Sequence, residues 1–563
     1  MALLLASLWI LAAVVSLTIA ARELQAGVAT AENLESSLSL SAVLSGDSQA
    51  QLAETHRHFE RAAMLTNSPV VSPLRVLPVA GRQLRSVAAL SRAASEVVDV
   101  GRSVLREGER ASQASVTDGP ERLELVRSLR DEAGRASGRL QRVELGPADA
   151  LVGPLHSRRA TFAERLAQVQ EASTRATDVL TAVHSLLDGD GRYLLLAANN
   201  SEMRAGSGMF LSAGVLSVSQ GALSLDGMQP TEELFLREGV PMSGDFAARW
   251  GAFMPNQEWR NLALSPRFDQ TGALAADMWQ ARTGERVDGV LAMDVIALQA
   301  VLRSVGSVTV EDDQIDADGV VAFVLHDQYV RFEQDRTQQV TARRDHLGQI
   351  ASAVVTALET QGTDIPQLAE ALTGAAAGRH LLAWSADPRE QRGWQAAHVS
   401  GEMDASSLLV TVQNRGVNKL DWFFHLDCEL RVSALGDRTL VEVLMTMENG
   451  TPPGEPSYVA GGPTGDADGL YRGLVTAYLP GSAQAINFQG RPLAVAGPDG
   501  PSQVASTAVS IEARTSQQLT LSFELPADFG ALEIVPSARV PSVSWRFGDL
   551  LWQDESMQRI ELN

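Results

Sequence analysis

Three hydrophobic textures follow one another along the chain. Residues 2–21 read ALLLASLWILAAVVSLTIAA, uninterrupted by charge. About twenty apolar residues match the ~30 Å hydrocarbon core of a bilayer, so residues 1–21 are expected to form a transmembrane anchor. A cleaved signal peptide is the alternative, with Ala20-Ala21 as its small-residue site; its apolar stretch would be shorter and preceded by basic residues. Nothing basic precedes this run, so the positive-inside rule does not fix its orientation.

From Arg22 to Leu187 the chain is rich in Ala, Leu, Arg, Ser and Glu. Leu123, Val126 and Leu129 recur at helical spacing, as do Leu166, Val169 and Ala172. Breaks fall at Ser45-Gly46, Pro69–Pro78, Asp118-Gly119-Pro120 and Gly146-Pro147. Such interruptions favour several antiparallel helices, a stalk or bundle over 22–187, rather than one long coiled coil.

The texture changes at Asp188–Gly191, whose DGDG lacks the further ligands of a calcium loop and reads as a turn. A buried strand follows at Tyr193–Ala198, then a hairpin in MFLSAGVLSV and GALSLDG. VDGVLAMDVIALQAVLRSVGSVTV reads strand, helix, strand, giving an α/β domain over 188–398. From 399 to 563 short strands alternate with turn signals (SLLVTVQN, TLVEVLMTMEN, QLTLSFELP), which predicts an all-β, sandwich-like domain. The expected class is therefore multidomain α+β: anchor, helical stalk, central α/β domain, C-terminal β domain.

Composition narrows the partners. A net charge of −22 over 563 residues leaves no basic face of the kind nucleic acid requires. Nearly all the positive charge is arginine, and Lys419 is the only lysine. Cys428 is the only cysteine, so no intrachain disulfide and no cysteine zinc site can form. There is no GxSxG elbow and no HExxH, so a zinc hydrolase is not expected.

The segments RYLLLAANNSEMRAGSGMFLSAG, VDGVLAMDVIALQAVLRSVGSV, NRGVNKLDWFFHLDCEL and MENGTPPGEPSYVAGG resemble the domain-of-unknown-function 4012 family of bacterial envelope proteins. That resemblance implies a single-pass protein whose C-terminal bulk lies outside the cytoplasm. A more distant resemblance is to the LytR-CpsA-Psr family, which transfers glycopolymers from polyprenyl-pyrophosphate carriers onto cell-wall acceptors. It rests on the strand and arginine-bearing loop at Leu194–Arg204, the strand-helix segment quoted above, QDRTQQVTARR, and SPRFD at Ser265–Asp269. In this chain Asn199, Asn200 and Glu202 stand where that family often has an aspartate, and Phe268 separates Arg267 from Asp269.

The candidate residues follow. In the helix expected over 334–358, Arg336 and Arg343 share the stripe of Val340, Leu347, Ile350 and Val354. Inward arginines need an anion, either an internal carboxylate such as Asp294 or Asp327, or a phosphate gripped bidentately. Arg344 lies beside them. The loop NNSEMRAGSG adds Arg204, Asn200 and Glu202; its glycines Gly206 and Gly208 let amides turn toward an anion or simply shape a turn. Glu202 reads as a partner of Arg204 or a ligand for a divalent cation such as Mg. Asp269, with Arg267, is the candidate catalytic base or metal ligand in a pyrophosphate site; its simpler role is to cap a helix starting near Thr271. Lys419 is expected to pair with an acidic neighbour. The resulting expectation is a membrane-anchored envelope protein that transfers or binds polyprenyl-pyrophosphate-linked glycopolymers. The alternative is a non-catalytic scaffold or glycan-binding module, and the helical region admits self-association.

Overall fold

Small residues repeat every seventh position in the first helix, and this sets how the N-terminal part packs. The structure is a computed structural model describing residues 2–35, 49–114, 116, 118–311, 313–331, 338–361, 364–461 and 469–562. Helix α1 (Ala2–Glu35) carries one window, Leu11–Thr30, long and apolar enough to cross a membrane, consistent with a single anchor or a signal sequence. On its inner side Ala13, Ala20 and Gly27 are buried. A Cβ on Gly27 would stand 2.9 Å from the Phe59 ring of α2 (Gln49–Thr66), so glycine sets the close approach of the two helices.

The chain divides into two units, residues 1–116 with 121–184, and residues 117–120 with 185–563. In the first, α3 (Ala80–Gln113), α4 (Gly119–Leu140) and α5 (Gly153–Asp188) complete the helical region. Consecutive helices run antiparallel. Between α2 and α3, Gln49 meets Glu109 and His56 meets the Ser95 carbonyl. Between α3 and α4, Arg139 bridges Glu96 at 2.8 Å and Asp99 at 2.6 Å. The helix breaks at Pro69–Pro78 and Gly146-Pro147 fall between these helices and the one at 118–120 marks the start of α4, whereas Ser45-Gly46 lies outside the described residues. The expected α5 stripe is corrected: Leu166 is buried, but Val169 and Ala172 are exposed. Gln170 takes the inward position instead, because its amide donates to the Leu140 carbonyl at 2.8 Å.

The second unit begins with a five-stranded mixed sheet of order β3-β2-β1-β4-β7. Its strands are β1 (Asp190–Asn199), β2 (Met209–Ser219), β3 (Ala222–Pro230), β4 (Gly289–Met293) and β7 (Leu381–Ser385). Only β1 and β4 pair in parallel; β1, β2 and β3 form consecutive antiparallel hairpins. One face packs under α8 (Val295–Val305), α9 (Gln338–Thr360) and α10 (Ile365–Ala377). Within α9, Ile350 and Val354 are buried as their spacing predicts.

The other face meets the C-terminal β-rich part, two six-stranded sheets. Strand β8 (Ser407–Asn414) shows why the pair is inseparable in packing. Leu408, Val410 and Val412 point between the two β sheets, while Leu409 points into a core shared with Leu194, Phe268 and Trp279. Strand β11 (Tyr471–Pro480) does the same with Val475 and Ala477 on one side and Leu474 and Tyr478 on the other. A strand buried on both faces loses polar alternation, which accounts for the near-continuous apolar run SLLV.

Candidate functional site

The β1–β2 connection, Asn200–Gly208, is buried throughout, so each of its polar groups must find a partner inside the protein. Asn199 turns the chain by accepting from the Ser201 amide (2.8 Å) and hydroxyl (2.6 Å), and its own amide donates to the Tyr329 hydroxyl at 2.7 Å. The Met203 amide donates to Asp421 at 2.9 Å, and the Met203 carbonyl accepts from the Asn414 amide at 3.0 Å. Asp421 also accepts from Arg539 (2.6 Å), Tyr471 (2.8 Å) and Asn414 (2.8 Å), which holds the loop against the β sandwich. The two glycines do not offer amides to an anion. Gly206 donates to the Ala263 carbonyl, and Gly208 is needed because its φ is +107° and a Cβ would lie 2.7 Å from the Asn199 oxygen.

This loop forms one wall of a cleft of about 500 Å³ between the mixed sheet and the sandwich. Four cations line it, Arg204, Arg260, Arg415 and Lys419, against the carboxylates Glu202, Glu232 and Glu258. Arg260 is held bidentately by Glu258, at 2.9 and 2.6 Å. Lys419 forms a buried ion pair with Glu202. It also sits 5.2 and 5.4 Å from the rings of Tyr329 and Tyr458, which stack on each other at 5.6 Å. Burial pulls the Lys419 ammonium down, but Glu202 outweighs it and holds the group above its ordinary value. The expected Glu202–Arg204 pair is thus corrected: Glu202 bridges Lys419, because the lysine reaches it across the cleft.

Arg204 instead donates to two carbonyls, Met203 and Asn414, and its Nε has no partner. Burial pushes its pKa down to about 10, so it stays charged at neutral pH. Arg415 repels it electrostatically and lies 4.9 Å from the Phe253 ring. Among the described residues neither arginine has a carboxylate within ion-pair distance. Glu202 and Asp421 attract the Arg204 guanidinium from beyond ion-pair distance, and two neighbouring guanidiniums in a concave site have the donor geometry that anions accept from.

A second cavity, about 220 Å³ and almost wholly apolar, lies between the sheet and α9. Leu195, Leu216, Leu291, Ile350, Val354 and Leu358 are among its lining residues. Leu211 and Ser212 of β2 line this slot and the cationic cleft alike, so one strand borders both spaces.

Residues 188–329 are a DUF4012 family domain, the family being described as "Protein of unknown function (DUF4012)". No curated protein and no solved structure matches the chain. The LytR-CpsA-Psr resemblance gains no support from these comparisons. The DUF4012 match contains the loop with Glu202 and Arg204 and ends at Tyr329. It stops short of α9, β7, Arg415 and Lys419, so the rest of the chain completes both the cleft and the sheet of the DUF4012 domain.

The other expected residues lie apart from the cleft lining. Arg267 bridges Asp269 at 3.0 Å and the fully buried Asp499 at 3.2 Å. Asp499 also accepts from Tyr478 at 3.1 Å and Trp250 at 3.3 Å. Asp269 is not an N-cap, since α7 (Phe268–Thr283) already begins one residue before it. Burial pushes its carboxyl above the usual range despite Arg267. Asn200 donates to Asp294 at 2.8 Å and to the Ala538 carbonyl at 2.9 Å. Asp294 caps α8 and also meets the His380 ring at 2.6 Å, so its carboxylate is already engaged. Arg336 lies outside the described residues, as do the side chains of Arg343 and Arg344. Among the described residues no cluster of three or more His, Cys, Asp or Glu could hold a metal. Arg260 and Arg415 line the cleft without having stood out in the sequence, although Arg415 had a local signal. Its signal was the pair of cations in NRGVNK immediately after a strongly apolar strand.

Proposed function

We propose that the chain is a membrane-anchored envelope protein that binds an anionic, long-chain lipid carrier such as a polyprenyl pyrophosphate bearing a glycan. The observation that carries this reading is that Leu211 and Ser212 border both the cationic cleft and the apolar slot. An amphiphile could place its phosphates at Arg204 and Arg415 and run its hydrocarbon beneath α9. Burial of each methylene is worth about 0.8 kcal/mol, which rewards a long chain. Arginine grips phosphate oxygens through a planar fork of donors. Localisation outside the cytoplasm and contact with a lipid-linked glycan or cell-wall polymer belong to the same reading, as does a transfer step.

Binding or presentation is favoured over transfer because Arg267 is tied to both Asp269 and Asp499 away from the cleft lining, and Glu202 is tied to Lys419. A divalent cation would enter with the pyrophosphate rather than through a cluster of protein ligands. The test is to purify the full chain from membranes and identify retained lipids by mass spectrometry, then measure binding of polyprenyl pyrophosphate, phosphatidylglycerol and free pyrophosphate. Preferential retention of the polyprenyl species supports the reading. Equal affinity for free pyrophosphate and the lipid would remove the role of the apolar slot.

A further inference from the structure

The helical region exposes an apolar tip next to an arginine-lined cleft. The α2–α3 connection reads SPVVSPLRVLPV over 68–79, and within it Val76 is 85%, Leu77 48% and Val79 71% exposed. The α5 start lies beside this tip: the Gln83 amide donates to the Ala150 carbonyl at 2.9 Å, and the Val152 amide donates back to Gln83 at 3.1 Å. Val152 is also exposed. Water-exposed valines and leucines gathered at one end of a bundle mark a surface covered by something apolar.

Helix pairing indicates what covers it. Gly27 lies against Phe59, and Glu23 lies 3.8 Å from Arg61, so α2 runs antiparallel to α1. Past Arg61, α2 therefore heads back along the uncharged run Ala2–Ala21, where Ala13 and Ala20 are buried. The connection after Thr66 thus emerges beside the stretch that would lie in a bilayer.

Cations gather at the same end. A cleft of about 540 Å³ is lined by Arg75, Arg85, Arg92 and Arg142, none of which has a carboxylate within ion-pair distance among the described residues. Arg139 is consumed by Glu96 and Asp99. Arg75 donates to the Thr66 carbonyl and Asn67, yet its buried Nε has no partner. Glu96 and Glu144 line the same cleft, so its five arginines face two carboxylates.

We propose that residues 69–79 form a second membrane contact beside the anchor, with Val76, Leu77 and Val79 entering the acyl region and Arg75, Arg85, Arg92 and Arg142 receiving anionic phospholipid head groups. Apolar side chains flanked by arginine are suited to the interface plane, and anionic lipid adds electrostatic attraction. This inference rests on the anchor reading of α1 but not on the lipid carrier in the DUF4012 domain. It gives the anchor a fixed tilt, because a helix held at two points cannot swivel freely.

The test uses the full chain in nanodiscs of phosphatidylcholine, with and without phosphatidylglycerol. Nitroxides are placed at Leu77→Cys, at Leu11→Cys in the anchor, and at Val104→Cys. Val104 lies 24 residues into α3, about 36 Å from its start. Cys428 is buried and stays unlabelled. The expected result is oxygen access with exclusion of a water-soluble nickel complex at Leu11 and Leu77, and the reverse at Val104. Phosphatidylglycerol should immobilise Leu77 further, and R75Q/R85Q should abolish that lipid dependence. An aqueous Leu77 beside a membrane-embedded Leu11 overturns the second contact and leaves the anchor standing. An aqueous Leu11 overturns both. Embedding of Leu77 without any effect of phosphatidylglycerol or of R75Q/R85Q overturns the head-group site.

Discussion

Glu202 and Lys419 stand 217 residues apart in sequence and meet as a buried ion pair that clasps the mixed sheet to the β sandwich. Both side chains are buried, and the rings of Tyr329 and Tyr458 flank the ammonium of Lys419. Removing one member leaves a buried charge uncompensated, which costs about 3–5 kcal/mol. We therefore expect Lys419→Met and Glu202→Gln each to lower the urea midpoint sharply. The double variant should recover much of that loss, because both charges leave together. Equilibrium unfolding of the three variants measures the coupling, and simple additivity would show that the pair is not a clasp.

The cleft's cations separate into structural and available ones. Arg260 and Lys419 are held by carboxylates, whereas the side chain of Arg415 is exposed and rests only against a ring. Arg415→Ala should therefore leave the thermal midpoint nearly unchanged. A hydrogen bond to a charged group is worth about 1.5–3 kcal/mol, so the same change should weaken polyprenyl pyrophosphate binding about ten- to a hundredfold. Filling the apolar slot with Ala351→Leu should weaken the lipid and spare free pyrophosphate. If Arg415→Ala unfolds the protein instead, Arg415 serves the fold and not a ligand.

Much of this arrangement could be read before any coordinates. The apolar run, the helix breaks at proline and glycine, the β2–β3 hairpin and the strands of the C-terminal part all follow local patterns that the structure keeps. The cleft was only half legible. Arg204 announced itself as a charge among apolar strands, but its partner carbonyl on Asn414 is 210 residues away, and no periodicity encodes a pairing at that range. For the same reason Glu202 looked like the natural partner of Arg204, two positions on, until the strand geometry sent it toward Lys419. Asp269 was misread as a cap because the helix starts at Phe268, whose buried ring anchors the first turn.

His380 and Asp554 make stability depend on pH. Burial lowers the His380 pKa, but Asp294 at 2.6 Å outweighs it, and the net shift is upward from 6.5. A histidine with a raised folded pKa stabilises the fold fully below pH 6.5 and loses that contribution as pH rises through the folded value. Burial pushes Asp554 from 3.8 up to about 6, so its folded form binds the extra proton between those values, and stability falls there as pH rises. Both groups act in one direction. The melting temperature should decline from pH 5 upward relative to a His380→Asn variant, and the gap between the two proteins should be widest below pH 6.5. A gap that widens above pH 7 would reverse the assigned sign.

The sole cysteine offers a probe of the sandwich. Cys428 lies in β9 (Phe424–Leu435), opposite Met445 of β10 (Arg438–Asn449), in the core between the two β sheets. Burial pushes its thiol well above the ordinary value, and the thiolate is the reactive form. In the native protein a water-soluble disulfide reagent should therefore leave Cys428 unmodified over hours, and denaturant should expose it in one step. Because β8 and β11 belong both to this core and to the one under the mixed sheet, the thiol should appear together with loss of the cleft's ligand binding. Labelling that precedes loss of binding would show the sandwich opening by itself, and the shared core would then not couple the two parts.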